Sequence, residues 1–444
     1  MANRPPGVCL PLMRLLVTNT RTGQAYAIIR CLRPHVEWIS ATMYGSSWLT
    51  AHTATAAFSR LVNRRHVVTS PEEDWAAGKI QIENTDREER YIRDIEEICR
   101  KDRINIIFPS YDPQVYILAK NRQRLAELGV QVLAPEYETL QTLLDKSQTL
   151  KLAAAAGFPH PETYLIGEHD LSELARRIDP PWVVRPTASA RSRGMEVVQT
   201  REGLEPVVKR LQARHRKLIF QEYIPGHMKQ NFYMLIGRDH EVLSMISPKV
   251  LRTSHRIYRN SSAAVLFSHQ HEYSERVKEL VRGLNWHGGL TVQTKIDSRD
   301  GTPKLMEINP RFGSHTWYTT EMGINAPLMC LRSYRGEKVD PVSEYPDEAL
   351  MLEPFEDFFG LFFNVIDRGA YQFGRLIGRR PADPESIPES VRSTLNTLRK
   401  DYFGSHRKAY MPQFRYALSD PLVFILKSWA VLRYELNQLR RAGI

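Results

Sequence analysis

Between Met13 and Pro135 short apolar runs alternate with longer amphipathic stretches, and this alternation restricts the fold more than any other feature of the chain. "RLLVTN", "HVEWISAT", "NIIFPS" and "QVLAP" read as strands. "TRTGQAYAIIRCLRP", "EERYIRDIEEICRKDRI", with Tyr91, Ile95 and Ile98 at helical spacing, and "QVYILAKNRQRLAELGV" read as the helices between them. Strands separated by helices need crossover connections, so the pattern predicts an α/β domain over residues 13–135, a parallel sheet covered on both faces. The preceding "MANRPPGVCLPL" has no periodicity, and residues 1–12 are expected to be a dispensable extension.

The pattern then changes twice. Residues 136–336 read as α+β and mostly antiparallel, with "SRDG" as a turn between two of the strands. From 337 to 444 the signals are helical: Phe355 to Ile366, with Pro354 near the first turn, and Leu422 to Leu436, with Asp420 as cap and Pro421 at the first position. "PADPESIPES" reads as a linker between the two. A length of 444 residues accommodates three such units.

Composition narrows the setting. The net charge of +11 suits phosphate-bearing ligands, acidic substrates, nucleic acid or an anionic membrane. The basic residues are dispersed and no aromatic-basic RNA motif occurs, so a nucleic-acid partner is not expected. Cys9, Cys31, Cys99 and Cys330 form no CxxC pair, which points to a reducing compartment and hence a cytoplasmic protein. The sequence contains no apolar run of spanning length.

The chemistry concentrates in "KLMEINPRFGSH", Lys304 to His315. On a strand, Glu307, Asn309 and Arg311 share one face, while Met306 and Ile308 take the other. If a hairpin folds at "SRDG", Gln293 lies across from Glu307, and Gln293, Glu307 and Asn309 offer oxygens to one point. Such a set suits magnesium that draws its remaining ligands from phosphate. Arg311 follows on the same face, where it can stabilise charge on a transferring phosphoryl group. "RPTASARSRG" adds a small-residue loop flanked by Arg185, Arg191 and Arg193, whose amides can wrap phosphate oxygens. Neither GxxxxGK[ST] nor a GxGxxG after the first strand is present. Lys249, Arg252 and Arg256 are either a further anion site or a solvated basic face.

Taken in order, "DKSQTLKLAAAAGFPHPETYLI", "PWVVRPTASARSRGMEVV", "FQEYIPG", "GGLTVQTKID" and "KLMEINPRFG" resemble the ATP-grasp superfamily, in the style of the carbamoyl phosphate synthase large subunit and related carboxylate–amine ligases. The resemblance covers roughly residues 13 to 330. It implies a Rossmann-like domain, a two-lobed ATP-grasp domain over 136–336 with ATP between the lobes, and a helical C-terminal appendage. It further implies that Lys146 and Arg185 touch ATP phosphates and that Ser189 to Gly194, with Ser192 and Arg193, close over them. Glu222, Tyr223 and Ile224 would bind adenine at the hinge, and Met306 joins the nucleotide-binding set. Gln293, Glu307 and Asn309 would hold Mg2+, with Arg311 on the phosphoryl group. One departure stands out: where relatives carry a ribose-binding glutamate after the hinge glycine, this chain reads "HMKQNFYML", leaving Lys229 or Gln230.

The resulting expectation is an ATP-dependent ligase that activates a small-molecule carboxylate as an acyl phosphate and joins it to an amine. The alternative is a catalytically inactive ATP-binding regulatory or scaffold protein. A homodimer is expected. Membrane contact is not favoured, because residues 331–444 hold 17 Lys and Arg against 15 Asp and Glu. Moreover, Glu353, Glu356 and Asp357 stand beside the phenylalanine cluster, where anionic lipid would repel them.

Overall fold

The computed structural model describes residues 13–21, 23–45, 54–72, 74, 83–188, 194–215, 217–226, 228–253, 262–269, 272–313, 316–376, 390–404, 409–411 and 417–441. Residues 1–12, Ser189, Arg191, Ser192, Arg193 and Arg256 lie outside these ranges, and so do the expectations attached to them.

The first unit is a five-stranded sheet of β1 (Arg14–Val17), β2 (Trp38–Met43), β3 (Arg64–Val67), β4 (Ile106–Phe108) and β5 (Gln131–Val132). Its order is β3-β2-β1-β4-β5 and every neighbouring pair is parallel, as the alternation requires. Leu15, Leu16, Val17 and Ile107 are fully buried, the mark of strands covered on both faces. The helix Asp86–Asp102 starts at a capping box between Thr85 and Glu88 and buries Tyr91, Ile92, Ile95 and Ile98. "QVYILAKNRQRLAELGV" gives two helices, Asp112–Lys120 and Arg122–Ala126. The Asn121 side chain donates to the Ile117 carbonyl at 2.8 Å and breaks the run between them.

The second unit has two sheets, antiparallel except for one parallel pair at an edge of the larger. A small one holds β6 (Thr163–Leu165), β7 (Trp182–Pro186), β8 (Glu196–Val198) and β9 (Leu218–Glu222) in the order β6-β9-β7-β8, with its own core around Trp182 and Phe220. The large eight-stranded sheet contains β10 (Lys229–Ile236), β11 (Val242–Ile246), β12 (Pro248–Thr253), β13 (Ser262–Phe267), β14 (Gly288–Ile296), β15 (Pro303–Asn309), β16 (Ala349–Leu352) and β17 (Ala409–Tyr410). The order β15-β14-β10-β12-β13-β16-β17 places the hairpin of interest at one edge. The helix Lys146–Ala155 packs on the hairpin side, where the Leu305 amide donates to the Pro159 carbonyl at 2.8 Å.

The C-terminal region is only partly helical. Ala349–Leu352 is a fully buried strand antiparallel to β13, so the large sheet continues past residue 337. The helices Pro354–Leu376 and Pro421–Arg441 enclose the sequence-read helical stretches. The Asp420 carboxylate turns back to the first unit, where it accepts from Tyr26 Oη at 3.1 Å and from Ser59 Oγ.

Candidate functional site

The β14–β15 hairpin folds at Asp297–Thr302, and the register sets Gln293 opposite Glu307 and Thr291 opposite Asn309. A bulge beside Gln293 leaves Met306 out of the pairing. Its carbonyl instead accepts from Arg185 Nη2 at 3.2 Å, which ties the small sheet to the large one. Asn309 Nδ2 lies 3.4 Å from Glu307 Oε1, and Arg311 Nη2 lies 3.4 Å from Asn309 Oδ1. The three polar residues of "EINPR" therefore form one continuous row.

Lys146 opens its helix, with Asp145 as cap through the Ser147 amide at 2.9 Å, while the Lys146 amide donates to the Thr187 carbonyl at 2.9 Å. These two bonds aim the side chain at the row, and Nζ comes within 3.9 Å of Glu307 Oε2. Arg185 is buried at the end of β7, and its Nε has no hydrogen-bond partner. Burial lowers the pKa of both cations, an effect that the Glu307 charge only partly offsets. At Glu307 burial acts upward, but Lys146 and Arg185 outweigh it and hold the carboxylate below its ordinary range.

Arg311 is already engaged. Its guanidinium forks onto Asp112 at 2.8 and 3.3 Å, at the first residue of a helix in the first unit. Burial pulls the Arg311 pKa down, yet Asp112 keeps it above the ordinary value.

The segment expected to bind adenine runs from Glu222 to Gly226. Glu222 pairs with Arg299 in the hairpin turn, Tyr223 lies 4.8 Å from the Lys295 ammonium, and the Ile224 carbonyl accepts from that same ammonium. Gly226 has φ +105°, and a Cβ there would stand 2.6 Å from the Ile296 carbonyl oxygen. Gly194 also needs to be glycine: φ is +73° and a Cβ would meet His215 Nε2 at 2.7 Å.

The ribose candidates resolve differently. Gln230 donates to the Ser247 carbonyl at 3.1 Å and to its hydroxyl at 2.6 Å, on the face away from the row. Asn231, which the sequence reading passed over, pairs in register with Gln293. The line Asn231–Gln293–Glu307 thus crosses three adjacent strands. Asn231 is buried and its Oδ1 has no hydrogen-bond partner. Alternation in "KQN" sets Asn231 on the opposite face from Gln230, but nothing local says which strand it meets. Arg252 is not a free anion site, since it pairs with Asp357 and Asp401.

Glu307, Gln293 and Asn309 fit one hard cation shared with a phosphate, a carboxylate and two amides beside two buried cations, while the buried Asn231 Oδ1 next to them has no partner. Among the described residues no cluster of three His, Cys, Asp or Glu side chains could hold a metal alone.

Residues 245–356 match the family described as ATP-grasp in the biosynthetic pathway with Ter operon, and residues 76–133 match the PylC-like N-terminal domain. The chain is 21% identical to a D-aspartate ligase from Enterococcus faecium over 52% of its length and 58% of that protein. It is 26% identical to the C-terminal section of the carbamoyl phosphate synthase large chain from Methanopyrus kandleri over 60% of its length and 49% of that protein. The chain thus spans about half the length of these relatives. Its fold resembles the biotin carboxylase domain of Hydrogenobacter thermophilus 2-oxoglutarate carboxylase, a structure in complex with MgADP, ADP and bicarbonate. The TM-score is 0.58 at 15% identity, covering 77% of this chain and 74% of that one. The fold is ATP-grasp, preceded by a Rossmann-like unit.

Proposed function

We propose that this ATP-grasp chain is an ATP-dependent carboxylate–amine ligase, with its nucleotide site on the row Asn231–Gln293–Glu307–Asn309 facing Lys146 and Arg185. One observation carries the reading. Two buried cations, one with an unpartnered Nε, face an oxygen row with a single carboxylate, and burial disfavours the charged form of both despite the acids around them. A triphosphate supplies further negative charge.

In this reading a substrate carboxylate oxygen attacks the γ-phosphorus, the bond to the bridging oxygen breaks, and ADP leaves. An amine then attacks the acyl carbon, inorganic phosphate departs, and the amine loses its proton. Lys146 and Arg185 hold phosphate oxygens through both steps. Gln293, Glu307 and Asn309 would hold magnesium, which when bound screens the charge of the triphosphate. Asn231 turns an amide oxygen toward the ribose hydroxyls in place of the glutamate its relatives use. Arg311, braced by Asp112, borders the row where the phosphoryl group passes. Because the substrate carboxylate is the nucleophile, the site needs no Ser/His/Asp or Cys/His arrangement. The relatives named above guide the choice of substrates to screen, amino acids among them.

The test is a screen of carboxylates with hydroxylamine as a generic amine, scoring hydroxamate and ADP together. Glu307→Gln should lower turnover at least about a hundredfold while preserving the fold. Nucleotide-dependent stabilisation without ADP release on any carboxylate would instead favour a binding protein of the same fold, and near-normal turnover by Glu307→Gln would refute the metal assignment.

A further inference from the structure

The helices Pro354–Leu376 and Pro421–Arg441 each bury one apolar face and expose another. On the first helix, Phe359 and Phe363 are buried, and Phe355 packs on Phe424 of the second with ring centroids 5.2 Å apart. Phe358, Phe362, Val365, Phe373 and Leu376 fall on an adjoining stripe and are between 48 and 85% exposed. On the second helix Leu422, Ile425 and Trp429 form a similar stripe, each about half exposed. Single exposed apolar residues are ordinary; two stripes on packed helices mark a contact surface.

Charge decides what kind of surface it meets. The acids that seemed to oppose lipid do not face outward. Glu353 and Glu356 are buried against Lys427, at 3.3 and 3.5 Å from its Nζ, and Asp357 is buried against Arg252 at 2.9 Å. With these acids turned inward, the remaining stretch, residues 366–444, holds 13 Lys and Arg besides the paired Lys427, against seven Asp and Glu. Two of the seven are also occupied: Asp401 pairs with Arg252, and Asp420 accepts from Tyr26 and Ser59. Arg392, Arg399, Lys400 and Arg433 are exposed. Among the described residues no helix is long and apolar enough to cross a membrane, so these helices could lie on a bilayer but not span it.

We propose that the C-terminal helices seat the protein on the surface of an anionic lipid bilayer. The exposed stripes enter the headgroup boundary, and exposed bases such as Arg392, Arg399 and Lys400 meet lipid phosphate. A second copy is the less favourable occupant, because an isologous contact would bring two strongly basic regions together.

The test uses the full chain and sedimentation with two vesicle types: phosphatidylcholine with about 30% phosphatidylserine, and phosphatidylcholine alone, at about 0.1 M salt. The anionic vesicles should retain at least about fivefold more protein, and raising the salt should reduce the difference. The double substitution Phe362→Glu and Trp429→Glu should abolish retention at an unchanged melting temperature, since both side chains are about half exposed. Equal retention on the two vesicles, or binding that survives the double substitution, would overturn the proposal. So would concentration-dependent dimerisation that the same substitutions abolish in the absence of any vesicle binding. If the double variant unfolds, the salt dependence and the comparison of vesicles on the parent chain still decide.

Discussion

Asp112→Asn tests whether the first unit and the hairpin are joined through a buried charge pair. Asp112 and Arg311 side chains are 11 and 13% exposed, so water screens them little, and they meet through two contacts at 2.8 and 3.3 Å. Removing one charge of such a pair costs about 3–5 kcal/mol, because the other stays buried without its counter-ion. Asparagine keeps one acceptor oxygen, which returns about 1 kcal/mol. Arg311 also retains its contact to the Phe312 carbonyl. The net loss should be about 2–4 kcal/mol. Part of that is local: Asp112 is the first residue of its helix, where a carboxylate gains about 0.3–1 kcal/mol from the helix dipole. A double-mutant cycle with Arg311→Met removes the local part and should leave a coupling of about 2 kcal/mol. Urea unfolding without nucleotide, followed by tryptophan fluorescence and far-UV circular dichroism, measures it at the first transition. A coupling below about 0.5 kcal/mol, the range of a solvent-exposed pair, would refute the argument.

Two further outcomes follow from single residues. Asn231→Leu should weaken MgADP binding about tenfold by calorimetry, as the loss of one buried acceptor predicts, without lowering the melting temperature of the free protein, because Asn231 Oδ1 has no partner there; unchanged affinity would remove Asn231 from the site. His287 stacks on Tyr334 with centroids 3.8 Å apart, and burial, reinforced by Arg238, pushes its pKa down to about 4. The unfolded chain takes up this proton below about pH 6.5 and the folded chain only near pH 4, so stability should fall as pH drops through that window. His287→Phe should flatten the decline between pH 7 and 4.5 in urea titrations, and parallel curves for the two proteins would count against it.

The parallel first sheet was legible because its inner strands are buried on both faces and so read as uninterrupted apolar runs. β3 was not, since "RRHV" is a sheet edge carrying charge, the usual protection of an exposed edge and the opposite of a strand signal. β16 was missed for a different reason: "ALML" is apolar throughout, without alternation or β-branching, and sits directly before a helix. Within the site, Gln293 opposite Glu307 could be read because one short turn fixes their register. Asn231 could not, because its neighbour Gln293 lies 62 residues away and the pairing depends on which strand comes to lie beside the hairpin. The Asp112–Arg311 pair spans 199 residues and has no local signature at all.

Charge is where sequence and structure diverge most, and the reason is direction. A count weighs every acid and base alike, whereas folding sends some inward to pair and leaves others without an answer. Glu353, Glu356 and Asp357 vanish from the surface into contacts with Lys427 and Arg252. At the proposed nucleotide site Asp112 pairs with Arg311, and Glu307 faces both Lys146 and Arg185. Asp112 and Asp145 also act on Lys146, yet both buried cations have their charged form disfavoured by burial. A polyanion entering the site would relieve that penalty twice over, so its binding and the stability of the closed fold rise together through the same two side chains.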